Sequence, residues 1–180
     1  MSKMLALVLA AVASIQAQRI ELASAVAMLD ESPAVRVAGL KPSQRILIRA
    51  SLVDEGKIMW ASWAVFAADS RGVVDTSMQR PLEGSYNEVS ALGLMWSMLP
   101  TEGRQVNFAK RSLDPLLVSF EAVLDGRVIG KVTLTQRWIA PNVRRIPVRE
   151  RGLVGTLFLP SGEGRFPGVI QCYGIRWWPG

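Results

Sequence analysis

The 180-residue chain has no histidine and a single cysteine, Cys172. Without an imidazole, no Ser-His-Asp or Cys-His arrangement can be built, because those mechanisms need a group that takes up and returns a proton near neutrality. Lysine-based dyads stay open, although no Ser-x-x-Lys occurs. One cysteine and no histidine cannot supply the soft ligands of a structural zinc site. Nor can one cysteine form an internal disulfide, so cysteine usage does not mark the chain as secreted. A long apolar run is also missing. The longest near-continuous one, Met4–Ala13, is too short to span a bilayer, so no stable membrane span is expected. No cofactor or metal is expected, and no catalytic, cofactor-binding or metal-binding residue is assigned.

What is present is ordinary for a globular protein. Nearly half the residues are apolar and a fifth are charged, with 21 Lys+Arg against 15 Asp+Glu for a net charge of +6. The basic residues are scattered except for Arg144, Arg145, Arg149 and Arg151. A nucleic-acid site gathers such charge on one face beside stacking aromatics. This run instead falls in an alternating pattern and reads as a solvated strand face, so no nucleic-acid partner is expected.

The N-terminus has its own character. Lys3, the run Met4–Ala13 and the segment Ser14-Ile15-Gln16-Ala17 follow the order of a secretory signal peptide over 1–17. The alternatives are a mitochondrial presequence, with Lys3 and Arg19 as its only basic residues, and a frayed N-terminal helix of a cytosolic chain. We set 1–18 apart as leader-like.

From Arg19 the apolar residues recur with period two, the signature of half-buried strands. Ile20, Leu22 and Val26 form one such set, Val35 and Val37 another. Ile46, Ile48, Ala50 and Leu52 make a clean face, Asp54-Glu55-Gly56-Lys57 a hairpin turn, and Ile58–Ala67 the return strand. There Trp60 and Phe66 share one face, with Trp63 and Val65 on the other. Leu116, Val118, Phe120, Ala122 and Leu124 alternate into Asp125-Gly126, a dipeptide suited to the positive φ angles of a two-residue turn. Val128, Val132, Leu134 and Trp138 belong to the returning strand. Between these hairpins lies Leu92–Leu99, too short for its period to decide helix or strand, with Met95, Trp96 and Met98 read as core plugs. Regularly spaced short strands predict a mainly β fold, a β-sandwich over 19–140.

Beyond Pro141 the composition shifts. Ile146 and Val148 face Leu153, Leu157 and Leu159 across a turn at Arg151-Gly152. Phe166-Pro167-Gly168 then leads into Val169–Gly174, which reads as a buried strand opening an α/β sheet. Cys172 lies in that strand with no base in the sequence to activate it, and is read as structural.

Three blocks carry a resemblance. They are Val35–Leu40 with Pro42 and Ile46–Asp54; Gly84-Ser85-Tyr86 with Leu92–Met98; and Arg144–Val148 continuing through Gly155–Pro160 to Phe166–Ile170. In this order and spacing the chain resembles the N-terminal region of the acyl-CoA thioester hydrolase / bile acid-CoA:amino acid N-acyltransferase family, from about Ile20 to Gly174. The resemblance implies an immunoglobulin-like sandwich followed by the first strands of an incomplete α/β-hydrolase domain, over 141–180. It also implies an acyl-CoA substrate, with acyl transfer to water or to an amino acid. It implies a nucleophile, acid and histidine beyond residue 180, so this chain is expected to be inactive alone. After Gly174 the sequence Ile175-Arg176-Trp177-Trp178-Pro179-Gly180 replaces the family's glycine-rich loop, as in a truncated gene model, an alternative splice product or a degenerate paralogue. The alternative function is a stand-alone, secreted β-sandwich binding module without catalysis.

Overall fold

In a computed structural model of the chain, residues 17–103 and 106–171 are described. They divide into two compact units, the first ending at Trp138 and the second starting at Ile139. The leader-like segment, apart from Ala17 and Gln18, lies outside the described residues, as do Cys172 and everything after it.

The first unit is built from ten strands: β1 (Arg19–Leu22), β2 (Val26–Met28), β3 (Val35–Ala38), β4 (Arg45–Val53), β5 (Met59–Ala67), β6 (Val74–Asp75), β7 (Glu83–Gly84), β8 (Leu99–Pro100), β9 (Leu116–Leu124) and β10 (Arg127–Arg137). One helical turn, α1 (Gly93–Trp96), interrupts them. A small sheet has the order β1-β3-β6, and a larger one β2-β10-β9-β4-β5-β7, with β8 also paired to β5. The mainly β class expected from the alternation is what forms.

The two long hairpins supply the centre of the larger sheet. In β4 the residues Ile46, Ile48 and Ala50 turn inward and are buried. They are flanked by Ala64 and Phe66 of β5 and by Val118, Phe120 and Ala122 of β9, all in one cluster. Ile20, Val35, Val37 and Val74 of the small sheet join the same cluster, so both sheets close on one core. At the tip of the β9–β10 hairpin, Asp125 and Gly126 both have positive φ, 49° and 77°, as a two-residue primed turn requires. Just past it the register slips between Val128 and Gly130. This bulge turns Val128 out to solvent while Leu134 stays fully buried. At Gly130 a Cβ would stand 2.8 Å from Ile20 Cγ2, so the missing side chain lets β1 lie close against β10.

Two sequence expectations are corrected in this unit. Val26 does not continue the face of Ile20 and Leu22. The chain changes sheets after Leu22, and β2 pairs in parallel with β10, so Ala27 is buried and Val26 exposed. Trp96 is not a core plug: it is 56% exposed, because the helix is one turn long and buries only Gly93 and Leu94. Leu99 and Pro100, at the end of that apolar stretch, pair with Ala61 and Trp60 of β5.

The second unit contains the expected antiparallel hairpin, β11 (Arg144–Glu150) and β12 (Leu153–Leu159), with Ile146 opposite Leu157 and Val148 opposite Gly155. The turn falls at Arg151-Gly152 with φ of 48° and 82°. The four arginines Arg144, Arg145, Arg149 and Arg151 are all exposed. The buried strand expected from Val169 does not form over its described part. Residues 169–171 are not in a strand, and Val169 and Ile170 are 93% and 89% exposed. Val169 and Ile170 belong to no ladder among the described residues, and an apolar run becomes a strand only where neighbours accept its hydrogen bonds.

Candidate functional site

The hairpin turn after β4 does more than reverse the chain. Asp54, buried, accepts hydrogen bonds from the backbone N–H of Ile58 (2.9 Å), the indole N–H of Trp60 (3.1 Å) and the backbone N–H of Ala109 (2.9 Å). Burial pushes its carboxyl up, but these donors outweigh it and leave Asp54 below the usual carboxylate range. Glu55 reaches farther along the same segment. It accepts from Lys110 Nζ (2.5 Å), from the Ser112 hydroxyl (2.7 Å), and from the backbone N–H groups of Arg111 (2.5 Å) and Ser112 (3.0 Å). The Lys110 ammonium, then Ser112 and the Arg111 amide, hold Glu55 down at about 2. Two adjacent carboxylates thus clamp a loop more than fifty residues away in sequence.

The clamp brings together a serine, a lysine and an aspartate. Lys110 Nζ is 3.1 Å from Ser112 Oγ, and Ser112 Oγ is 3.0 Å from Asp114 Oδ2. A Ser-Lys nucleophile needs an amine with a lone pair to receive the hydroxyl proton. Lys110 instead donates three times, to Glu55, to the Ser112 carbonyl (2.5 Å) and to the Ser112 hydroxyl, which uses its full set of N–H groups. The arrangement therefore works as a tether, with the ammonium also 5.6 Å from the Trp138 ring centroid.

Because Glu55 is held below its ordinary value, its contribution is complete above the usual carboxylate range. It is lost as the pH falls toward about 2. We expect the loop to loosen between pH ~4.5 and ~2, while the central strands persist. Hydrogen exchange at the Ala109, Arg111 and Ser112 amides checks this; protection unchanged across that range would contradict it.

What the clamp holds is one wall of an apolar cavity of about 340 Å³. Phe108, next to Ala109, meets Trp60 edge-on at 5.5 Å. Met95, Trp96 and Met98 come from α1 and the residues after it, Leu52 from β4, and Trp138 from the end of the first unit. Beneath α1, Tyr86 lies edge-on to Trp96 at 5.7 Å, and burial pushes its phenol up to about 12. One polar side chain, Gln136 of β10, belongs to the same lining. Sequence reading took Asp54-Glu55 as part of a hairpin turn and assigned no role to Lys110–Asp114. Nothing in their local pattern announces a clamp across that separation.

Fold and site together define a mainly β region whose loops are tied around an apolar cavity. Comparison with known proteins then gives its lineage. Residues 30–150 match the family described as "Acyl-CoA thioester hydrolase/BAAT N-terminal region". The chain is 37% identical over 152 residues to the peroxisomal succinyl-coenzyme A thioesterase of Mus musculus, covering 81% of this chain and 36% of that protein. It is 39% identical over 158 residues to the bile acid-CoA:amino acid N-acyltransferase of Homo sapiens, covering 82% of this chain and 38% of that one. Acyl-coenzyme A thioesterase 5 of Mus musculus is 36% identical over 152 residues. The chain belongs to the acyl-CoA thioester hydrolase / bile acid-CoA:amino acid N-acyltransferase family, by its N-terminal region. It spans little more than a third of the length of these relatives.

Proposed function

We propose that these 180 residues are the non-catalytic N-terminal part of an enzyme that transfers the acyl group of an acyl-CoA to water or to an amino acid. The observation that carries this reading is the family match over residues 30–150 in a chain that has no histidine. A thioester is opened by a nucleophile whose proton a base must accept, with the thiolate leaving group reprotonated afterwards. Neither Ser112 nor Lys110 is arranged for that exchange. In this reading the first unit is a folded support, the exposed hairpin of the second unit opens a further domain, and the reacting groups lie outside the 180 residues.

Incubating the purified chain with palmitoyl-CoA and following release of CoA thiol tests the reading. We expect a rate equal to that of buffer. Turnover that survives further purification would overturn it, and Lys110 and Ser112 would then be the first residues to replace.

A further inference from the structure

Along β10, inward-facing positions alternate, and Leu134 fills its position in the core with no exposure at all. Two residues on, the same face carries Gln136, which is only 4% exposed. The pattern calls for an apolar side chain there, yet a carboxamide stands among Leu52, Trp60, Met98 and Leu116 in the cavity lining. Two residues farther along, the buried indole N–H of Trp138 has no hydrogen-bond partner among the described residues. Buried polar groups are nearly always paired, and each exception calls for an explanation.

We propose that the cavity is a binding site for a small neutral amphiphile: an apolar chain or ring bearing one uncharged hydrogen-bonding group, which Gln136 engages. Size and lining fit, since about 340 Å³ bounded by aromatic, Leu and Met side chains lies within the range of small-molecule pockets. A carboxamide offers both a donor and an acceptor, so it suits an amide, an alcohol or an ester. The charge state follows from the neighbouring cation. Lys110 spends its three N–H groups on Glu55 and Ser112, so it has none to give a bound carboxylate. A carboxylate entering this site would lose its hydration without a cation in return. The clamped loop contributes Phe108 as one wall, so Asp54 and Glu55 keep the site formed before a ligand arrives. This inference concerns binding alone and stands whether or not the proposed enzymatic role does.

Octanamide and octanoate are the probes, titrated at neutral pH into the full 180-residue chain and followed by the indole N–H resonances of Trp60 and Trp138. Octanamide is expected to shift these resonances saturably, and octanoate to bind at least about tenfold more weakly. Gln136→Leu is expected to weaken octanamide about three- to tenfold, as loss of a neutral hydrogen bond does, with its melting temperature unchanged or raised. Should that variant fail to fold, Leu92→Trp, which fills the cavity from its rim, is expected to abolish the saturable shift. Equal affinity for the two probes, no saturable octanamide binding, or unaltered binding in a folded Gln136→Leu variant would each overturn the proposal. So would a stable dimer that seals the cavity in the absence of ligand.

Discussion

Replacing Phe120 by Ala is expected to destabilise the chain by about 3–5 kcal/mol, enough to unfold a domain of ordinary stability at room temperature or nearly so. Phe120 is 2% exposed and lies at the middle of β9, opposite Ala50 of β4 and Val132 of β10. Its ring belongs to the cluster to which both sheets contribute. Truncation removes its transfer free energy and leaves a void between strands whose hydrogen-bonded ladders limit collapse. Phe120→Leu keeps most of the volume and is expected to cost well under half as much. Urea unfolding of the three proteins, followed by tryptophan fluorescence, measures the difference. A cost below about 1 kcal/mol for Phe120→Ala would show that the sheets do not share this core.

Gly93→Ala is expected to be the next most damaging change, at about 2–3 kcal/mol, from the addition of one methyl group. A Cβ at this position would stand 2.1 Å from Tyr86 Cε2 and 2.3 Å from its Cζ. Tyr86 has little room to yield, being buried with Trp96 edge-on to it. The strain should therefore pass into α1 and move Met95 and Trp96, which line the cavity. Denaturant unfolding gives the stability, and the Trp96 indole resonance reports the displacement. If both match the parent protein, the close seat of Gly93 on the tyrosine ring is refuted. The effect at Gly93 is one of contact and not of backbone conformation, unlike Gly126, whose positive φ is what its turn requires.

The hairpins were the legible part of the sequence. Period-two alternation in Ile46–Leu52 and Leu116–Leu124 fixes which side chains face the core, and Asp125-Gly126 fixes the turn. The arrangement of the remaining strands was not legible, for identifiable reasons. β2 and β6–β8 have two or three residues each, too few to carry a period. The bulge after Val128 shifts the face of the strand by a residue, which alternation alone does not register. For Val169 and Ile170, apolar composition suggested burial, but a strand forms only where a neighbouring strand accepts it, and neither is paired among the described residues.

The cavity was half legible. The apolar segment around Trp96 stood out in the sequence, but as core, and its exposure became clear only once α1 proved a single turn long. Gln136 gave no signal, since glutamine within a strand ordinarily reads as solvent-facing. Asp54 and Glu55 were recognised as a turn, while their partners at Ala109–Ser112 are brought near only by the pairing of β4 with β9. The lineage was more accessible than the site, because ordered blocks of sequence identify a family even where the contacts of single residues are hidden.

The proposed role is that this region supports acyl-CoA chemistry performed by residues outside it. The most direct measurement is thioester hydrolysis by a chimera in which residues 19–159 replace the matching region of the mouse peroxisomal succinyl-coenzyme A thioesterase, beside the 180-residue chain alone. Succinyl-CoA hydrolysis by the chimera is expected within about tenfold of the parent enzyme, and none by the chain alone. A folded chimera without activity, or hydrolysis by the chain alone, would contradict it.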